Sequence, residues 1–404
     1  MTDKQYDVVV FGATGFVGRL TAAYLAAAAP AGARIALAGR SRDKLEQVRA
    51  TLPVRAHEWP LVVADSSSPA AVAALAASTT AVATTVGPYL KYGKALAEAC
   101  ADAGTHYADL TGEVLFVRDC IDRLHDRALR SGARIVHACG FDSVPSDLGV
   151  LLCAEAAAAD GEGELTDTTM LVAAMRGGVS GGTLDSLRGM VDEMKRDPSA
   201  RRLMTDPHAL AADRSAEHEP QPSDGFLTAR YDGRWIAPFV MAPFNTRIVR
   251  RSNELLDRPF GKAFRYREVM SVGRSPAGPL LAAGVAGGVG ALAFGMAVPP
   301  TRALLDRVLP APGEGPSDSA REKGHFRTET TAATTGGASY RTTIAAKGDP
   351  GYAATAVMLG EAVLALGLDD LPSAAGVLTP ASGIGVRLAD RLRAAGFRIE
   401  TTRL

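Results

Sequence analysis

The chain has 404 residues, with 44 basic and 44 acidic side chains and 47% apolar residues. That length provides two or three domains with ample core and no need of a disulfide or metal staple. The even charge balance argues against nucleic-acid binding, which asks for a net basic surface, and the composition is far from that of a disordered chain. Cys100, Cys120, Cys139 and Cys153 are widely spaced with no CxxC. Reduced, buried thiols in a cytoplasmic protein are therefore expected, with no metal site. Met1 to Gln5 is short and polar, without a signal-peptide layout.

Short apolar runs alternate with helical stretches over residues 1–150. Tyr6–Phe11, Arg34–Ala38, Leu61–Ala64, Ala81–Val86, His106–Leu110 and Arg134–Ala138 are expected strands. The intervening helices are expected to stop at Gly32, Gly104 and Gly132. Continuous apolar strands alternating with helices predict an α/β, doubly wound (Rossmann) parallel sheet.

Gly12-Ala-Thr14-Gly15-Phe16-Val17-Gly18 follows the first strand and opens a helix. Glycines there permit a tight turn and close backbone approach to a pyrophosphate, which the free N–H groups of the helix start can hold. An NAD site usually places Asp or Glu at the end of the second strand, about 20 residues on. Here that position reads Ala38-Gly39-Arg40-Ser41-Arg42. Guanidinium groups and a hydroxyl suit a 2′-phosphate, so NADP(H) is the expected cofactor. Asp65, ending the third strand, is placed either near the adenine or as a cap. The turn Gly87-Pro88-Tyr89 after the fourth strand should lie near the nicotinamide. No Tyr-xxx-Lys pair occurs, which removes the catalytic pair of ordinary short-chain dehydrogenases.

Residues 151–348 change texture. Thr168–Arg176, Thr228–Trp235, Phe264–Val272, His325–Thr334 and Ser339–Ala346 predict a mostly antiparallel sheet in a second α+β domain, with a hairpin turn at Gly336-Gly337. Pro198–Asp224 and Pro310–Ser319 are expected loops. Within the apolar segment 277–298, Leu280–Val298 is 19 residues without charge or proline, including five Gly and six Ala. It is long enough as a helix to match a bilayer core, but its composition suits close packing equally. A buried or dimer-interface helix, a contact with the membrane surface, and a span are the three alternatives. The last segment, 349–404, is expected to be helical and to pack back on the Rossmann domain. Ile384, Leu388 and Leu392 share one helix face that ends at Gly396.

Several longer motifs resemble the saccharopine dehydrogenase-like reductase family. They are Gly12–Gly18, Gly104-Thr-His-Tyr-Ala-Asp-Leu-Thr-Gly-Glu113, Gly140-Phe-Asp-Ser-Val-Pro-Ser-Asp-Leu-Gly149, Gly177-Gly-Val-Ser-Gly-Gly-Thr183 and Pro350-Gly-Tyr352. The run Pro238–Ser252 is similar to the actinobacterial branch called trans-acting enoyl reductases. The resemblance implies NADPH-dependent reduction of an α,β-unsaturated polyketide or fatty acyl thioester, a lipid-like substrate carried on an acyl carrier protein, and a homodimer. A C–N oxidoreductase acting on an amino-acid-like substrate, or a non-catalytic lipid-associated protein, are the rivals.

Enoyl reduction needs a proton for the α-carbon and a donor for the thioester oxygen. Tyr89 is the first candidate, followed by Tyr107, Ser143 and Asp142 at the ends of strands five and six. Each also has a structural alternative: Tyr107 in the sheet, Asp142 or Ser143 capping a helix, and likewise His106 and Glu113 as a satisfied histidine and a helix-start carboxylate. Arg247, Arg250 and Arg251 are weighed as a docking face for an acidic carrier, against the alternative of a solvated charge run. Leu280–Val298 offers a contact for the inner face of the plasma membrane.

Overall fold

A computed structural model describes residues 4–177, 181–214, 221–222, 229–298, 300–302 and 317–404. The first half runs β1 (Tyr6–Phe11), α1 (Phe16–Ala28), β2 (Ile35–Gly39), α2 (Arg42–Thr51), β3 (Leu61–Val63), α3 (Pro69–Ser78) and β4 (Thr79–Thr84). It continues with α4 (Tyr89–Tyr92), α5 (Lys94–Ala103), β5 (His106–Ala108), α6 (Val114–Ser131), β6 (Arg134–Val136) and α7 (Val144–Ala159). Glycine in the left-handed region ends α5 at Gly104 and α6 at Gly132, as expected. Gly32 caps nothing, because α1 already stops at Ala28, ahead of Pro30. The fourth strand begins and ends two residues earlier than expected, which releases Thr85 to Gly87 into the loop above the sheet.

The second half contains β7 (Leu165–Arg176), α8 (Gly181–Arg196), α9 (Pro198–Thr205), β8 (Ala229–Tyr231), β9 (Arg234–Pro238), α10 (Ala242–Leu255) and β10 (Arg265–Gly273). Then come α11 (Gly278–Ala297), α12 (Asp318–Glu322), β11 (His325–Thr334), β12 (Ser339–Lys347), α13 (Thr355–Leu368), β13 (Gly376–Leu378), α14 (Pro380–Gly383), α15 (Val386–Ala394) and β14 (Arg398–Arg403).

Two seven-stranded sheets result. The first is wholly parallel in the order β13-β6-β5-β4-β1-β2-β3, with Val8 of β1 opposite both Ile35 and Ala81. The order reverses between β1 and β4, which opens the ligand crevice of a doubly wound sheet. The second sheet, β14-β12-β11-β7-β10-β9-β8, is antiparallel except for the β7–β10 pair. Helix α7 lies against β7, β11 and β12, and one apolar cluster runs continuously from the first sheet through α7 and α13 to the second.

Three expectations are corrected. The C-terminal segment is not all helix: β13 adds a seventh strand to the parallel sheet, and β14 forms an edge of the other. Pro198–Asp224 is not all loop, since Pro198–Thr205 is helical with Asp197 accepting from Ser199 N at 2.8 Å. From Ala229 onward the expected Thr228–Trp235 strand is a hairpin, β8–β9, turning at Asp232-Gly233. Residues 215–220, 223–228 and 303–316, which hold part of the first expected loop and most of the second, lie outside the described residues.

Helix α13 covers one face of the parallel sheet, packing on α1, β4 and β5. A Cβ at Gly367 would stand 2.8 Å from Asp7 O, so only glycine lets the helix approach β1 this closely. Ile384, Leu388 and Leu392 are all buried beneath α15 and its approach.

Candidate active site

The phosphate loop follows directly from β1. Gly12 donates to Ala38 O at 2.9 Å and its own carbonyl accepts from Gly15 N at 2.9 Å, which closes the turn. Gly12 has φ +87°, and a Cβ there would stand 2.8 Å from Thr85 Oγ1. A Cβ at Gly18 would stand 2.1 Å from Gly12 O, so this glycine sets the close packing of helix on strand. Gly15 is exposed and caps α1 with no side-chain hydrogen bond, and the first turn carries no acidic residue. The N–H groups of Phe16, Val17 and Gly18 have no carbonyl one turn back and therefore face an open, electropositive helix end. Thr14 lies beside Gly39 at the head of β2.

At the end of β2, Arg40 is exposed and has no hydrogen bond or ion pair among the described residues. Ser41 caps α2, accepting from Lys44 N at 3.4 Å, while Arg42 pairs with Glu46 at 3.8 Å. Asp65 is held below the usual carboxylate range by Ser67 N and Ser67 Oγ, each at 2.8 Å. It shapes the turn ahead of α3, and Ser68 is the cap itself. An open helix terminus, a glycine approach and an unengaged guanidinium together fit a dinucleotide carrying a 2′-phosphate. Among the described residues no group of acidic, His and Cys side chains is arranged to hold a metal.

Gly87 and Pro88, joined by a cis peptide bond, lie beyond β4. The four candidate catalytic side chains then separate. The Tyr89 hydroxyl donates to Thr84 O at 3.1 Å and accepts from Leu110 N at 3.2 Å, and burial pushes the phenol well above its ordinary range. Tyr107 donates to Asp109 Oδ2 at 3.0 Å, an oxygen it shares with His137 Nδ1 at 2.7 Å. Both phenols are thus engaged inside the ends of the strands. Ser143 is buried and donates to Asn245 Oδ1 at 3.0 Å, and Asn245 donates to Glu268 Oε2 at 2.9 Å. It is the cap position of α7, yet its hydroxyl reaches across to α10 instead. Asp142 alone is partly exposed, and burial of its carboxyl raises it to about 6.

Two further residues have structural roles. His106 Nδ1 accepts from Arg134 N at 3.2 Å, and burial lowers the imidazole to about 4. Glu113 stands at the N-cap position of α6 without a side-chain cap bond, and its carboxylate instead accepts from Tyr89 N and Leu90 N at 2.8 Å each.

The sequence reading missed what the second half contributes to the crevice. Tyr352 meets the Phe16 ring edge-on at 4.9 Å, and Arg321 of α12 stands over the same ring at 5.2 Å. Pro350-Gly-Tyr352 is visible in the sequence only as a motif, and nothing near Arg321 marks it. Arg247, Arg250 and Arg251, weighed as a carrier-docking face against a solvated charge run, are buried. Arg247 donates to Asp206 O and Met204 O, Arg250 to Pro207 O, and Arg251 to Leu210 O and Val377 O. They serve α10 as internal ties to backbone carbonyls rather than as a solvated run.

Comparison with known proteins agrees with this geometry. The profile of the saccharopine dehydrogenase NADP-binding domain matches residues 8–136. A Mycobacterium tuberculosis relative is 52% identical over 418 residues, spanning 100% of this chain and 99% of its own length. Relatives from Mycobacterium bovis and Mycobacterium ulcerans, each named trans-acting enoyl reductase, are 48% identical over 419 and 415 residues, covering 99% or more of both chains. Apo saccharopine dehydrogenase from Saccharomyces cerevisiae shares the fold, with a TM-score of 0.53 at 13% identity over 98% of this chain and 99% of its own. The chain is an NADP-dependent oxidoreductase. It belongs to the saccharopine dehydrogenase-like family, in the branch of the trans-acting enoyl reductases.

Proposed function

We propose that this reductase saturates the double bond of an α,β-unsaturated acyl thioester. The observation that carries the reading is the full-length match to relatives named for that reaction. NADPH, when bound, would supply a hydride for the β-carbon, which with a proton at the α-carbon adds two hydrogens to the thioester. The chain's own residues have divided roles. The N–H groups from Phe16 to Gly18 would hold the pyrophosphate, and Arg40, with Ser41 and Arg42 beside it, would hold the 2′-phosphate. Gly87 and Pro88 bound the nicotinamide end.

Asp142 supplies the proton. It is the one member of the candidate set that is not fully buried, and burial of its carboxyl raises it to about 6, toward the range where a general acid works best. Tyr89, Tyr107 and Ser143 keep the strand ends and the α7–α10 contact rigid around it. The test is NADPH oxidation with enoyl thioesters of graded chain length, with imines and amino acids as controls. Turnover of thioesters alone supports the reading, and turnover of imines alone replaces it with C–N chemistry.

A further inference from the structure

Glu113 is almost wholly buried, with 1% of its surface exposed, and no cationic side chain forms an ion pair with it among the described residues. Its carboxylate is satisfied by three donors. Two are Tyr89 N and Leu90 N, the first amides of α4, immediately after Gly87-Pro88. The third is Ser186 Oγ of α8, at 2.6 Å from Oε1. Ser186 is 73 residues away in sequence and belongs to the other half of the molecule.

On its other side the same loop touches the phosphate loop, because Thr85 Oγ1 donates to Gly12 O at 3.2 Å. A short physical path therefore runs from Gly12 through Thr85 and Tyr89 to Glu113, and from there to Ser186. Helix α8 is in turn tied to Arg302, which follows α11 in the chain, its Nη1 lying 2.5 Å from Asp192 Oδ1. A carboxylate removed from water gains little from a loose third donor but much from a short one.

We propose that Glu113 and Ser186 form a positioning pair that fixes α8 relative to the cofactor-side loop, so that holding NADPH orders α8 against the site. The inference rests on the NADPH-reductase reading and not on the enoyl substrate. Neither residue touches the reacting atoms; both act through the loop and the helix they join.

The experiment is hydrogen–deuterium exchange of the full chain with and without NADPH, read on peptides covering residues 181–196. In the wild type, NADPH slows exchange across α8. Ser186→Ala abolishes that slowing while the NADPH Kd stays within about twofold, and Ser186→Thr, which keeps the hydroxyl, restores it. Glu113→Gln, which keeps one acceptor oxygen, gives a partial response. With an enoyl thioester, Ser186→Ala raises the substrate KM by about tenfold, the size of one charge-assisted hydrogen bond, and leaves kcat within about threefold. Equal protection of α8 in the wild type and Ser186→Ala, or no effect of NADPH on α8 in the wild type, overturns the proposal. If no thioester is turned over but the exchange coupling is present, the substrate reading fails and the pairing stands.

Discussion

At the scale of single residues, the site divides into groups aimed at solvent and groups committed to the protein. Arg40 belongs to the first kind, its charge felt by the Asp65 carboxylate but bonded to no described residue, so Arg40→Ala should remove the proposed charged contact to the 2′-phosphate. Charged hydrogen bonds of this sort contribute about 1.5–3 kcal/mol. The NADPH Kd should accordingly rise roughly ten- to a hundredfold while the NADH Kd stays constant, as measured by fluorescence titration; parallel changes in the two would place the phosphate elsewhere. Asp142 gives a pH signature. A required acid titrating at about 6 makes kcat fall as pH rises through that value. Asp142→Asn should lower kcat at least a hundredfold and leave the NADPH Kd unchanged. A mutant with the wild-type pH profile would remove Asp142 from the chemistry.

These residues differ in how visible they are before folding. Gly12 to Gly18 and Arg40 are legible because the chemistry is local: a strand, a turn and a helix start in consecutive residues. Tyr89 and Tyr107 looked catalytic because strand ends point into the crevice, but their hydroxyls turn back to Thr84 O and Asp109. The pairing of Glu113 with Ser186 has no sequence mark. Glu113 alone reads as a helix-start carboxylate, which it also is, and its partner lies across the fold.

At the scale of elements, α10 and α11 show opposite uses of one-sided composition. Arg251 on α10 has 1% of its surface exposed, and burial lowers it to about 10, so it remains charged at neutral pH with two carbonyls as its partners. Arg251→Ala leaves Leu210 O and Val377 O unpaired beside a cavity and should cost about 2–4 kcal/mol in urea denaturation. A change within about 0.5 kcal/mol would mean the carbonyls find water.

Helix α11 has the opposite character. Its stretch Gly278–Met296 has a mean hydropathy of 1.7 and is only 24% buried. Ala282, Ala286 and Met296 face protein, while Leu280, Leu281, Ala283, Gly284, Gly287, Gly288, Ala291 and Phe294 form an exposed row. With one flank packed on β9 and α8, the helix lies along the body of the protein, which argues against a span and against full burial. We propose that this row contacts the membrane surface from which a lipid-like substrate is taken. Leu280→Glu with Phe294→Glu should abolish co-flotation with phosphatidylglycerol vesicles and leave the Tm within a few degrees. Flotation unaffected by both charges would discard the membrane contact.

Length explains which elements the sequence concealed. β1, six residues of Tyr-Asp-Val-Val-Val-Phe, announces itself, whereas β13 is three residues, Gly-Val-Leu, too short for any period to register. β14, Arg-Ile-Glu-Thr-Thr-Arg, is an edge strand with little apolar content, and its pairing with β12 supplies what its composition does not.

At the scale of the whole molecule, Asp147 marks where three distant segments converge. From α7 it accepts from Ser252 Oγ of α10 at 2.5 Å and from Ala381 N of α14 at 2.7 Å. Burial outweighs these bonds and pushes the carboxyl up to about 7. A carboxyl raised in the folded state binds more protons there than in the unfolded chain. Its contribution is complete at acid pH and is lost as pH rises from about 4 through about 7. Asp142 works in the same direction. Wild-type Tm should therefore drop between pH 5 and pH 8 by a few degrees more than that of Asp147→Asn, which cannot ionise. Identical slopes would show that Asp147 stays ionised throughout.

The placement of α13 and β13 has a consequence for synthesis. Residues 355–378 complete a sheet whose other strands were finished by residue 136, so the nucleotide-binding half is discontinuous in the chain. As the chain leaves the ribosome, that sheet must wait more than two hundred residues for its covering helix and last strand. Until then an apolar face over α1, β4 and β5 is bare and β6 is an open edge, a state that invites misassembly. The order of translation thus leaves the first sheet without its covering helix and last strand until strands β7 to β12 of the second sheet have been made.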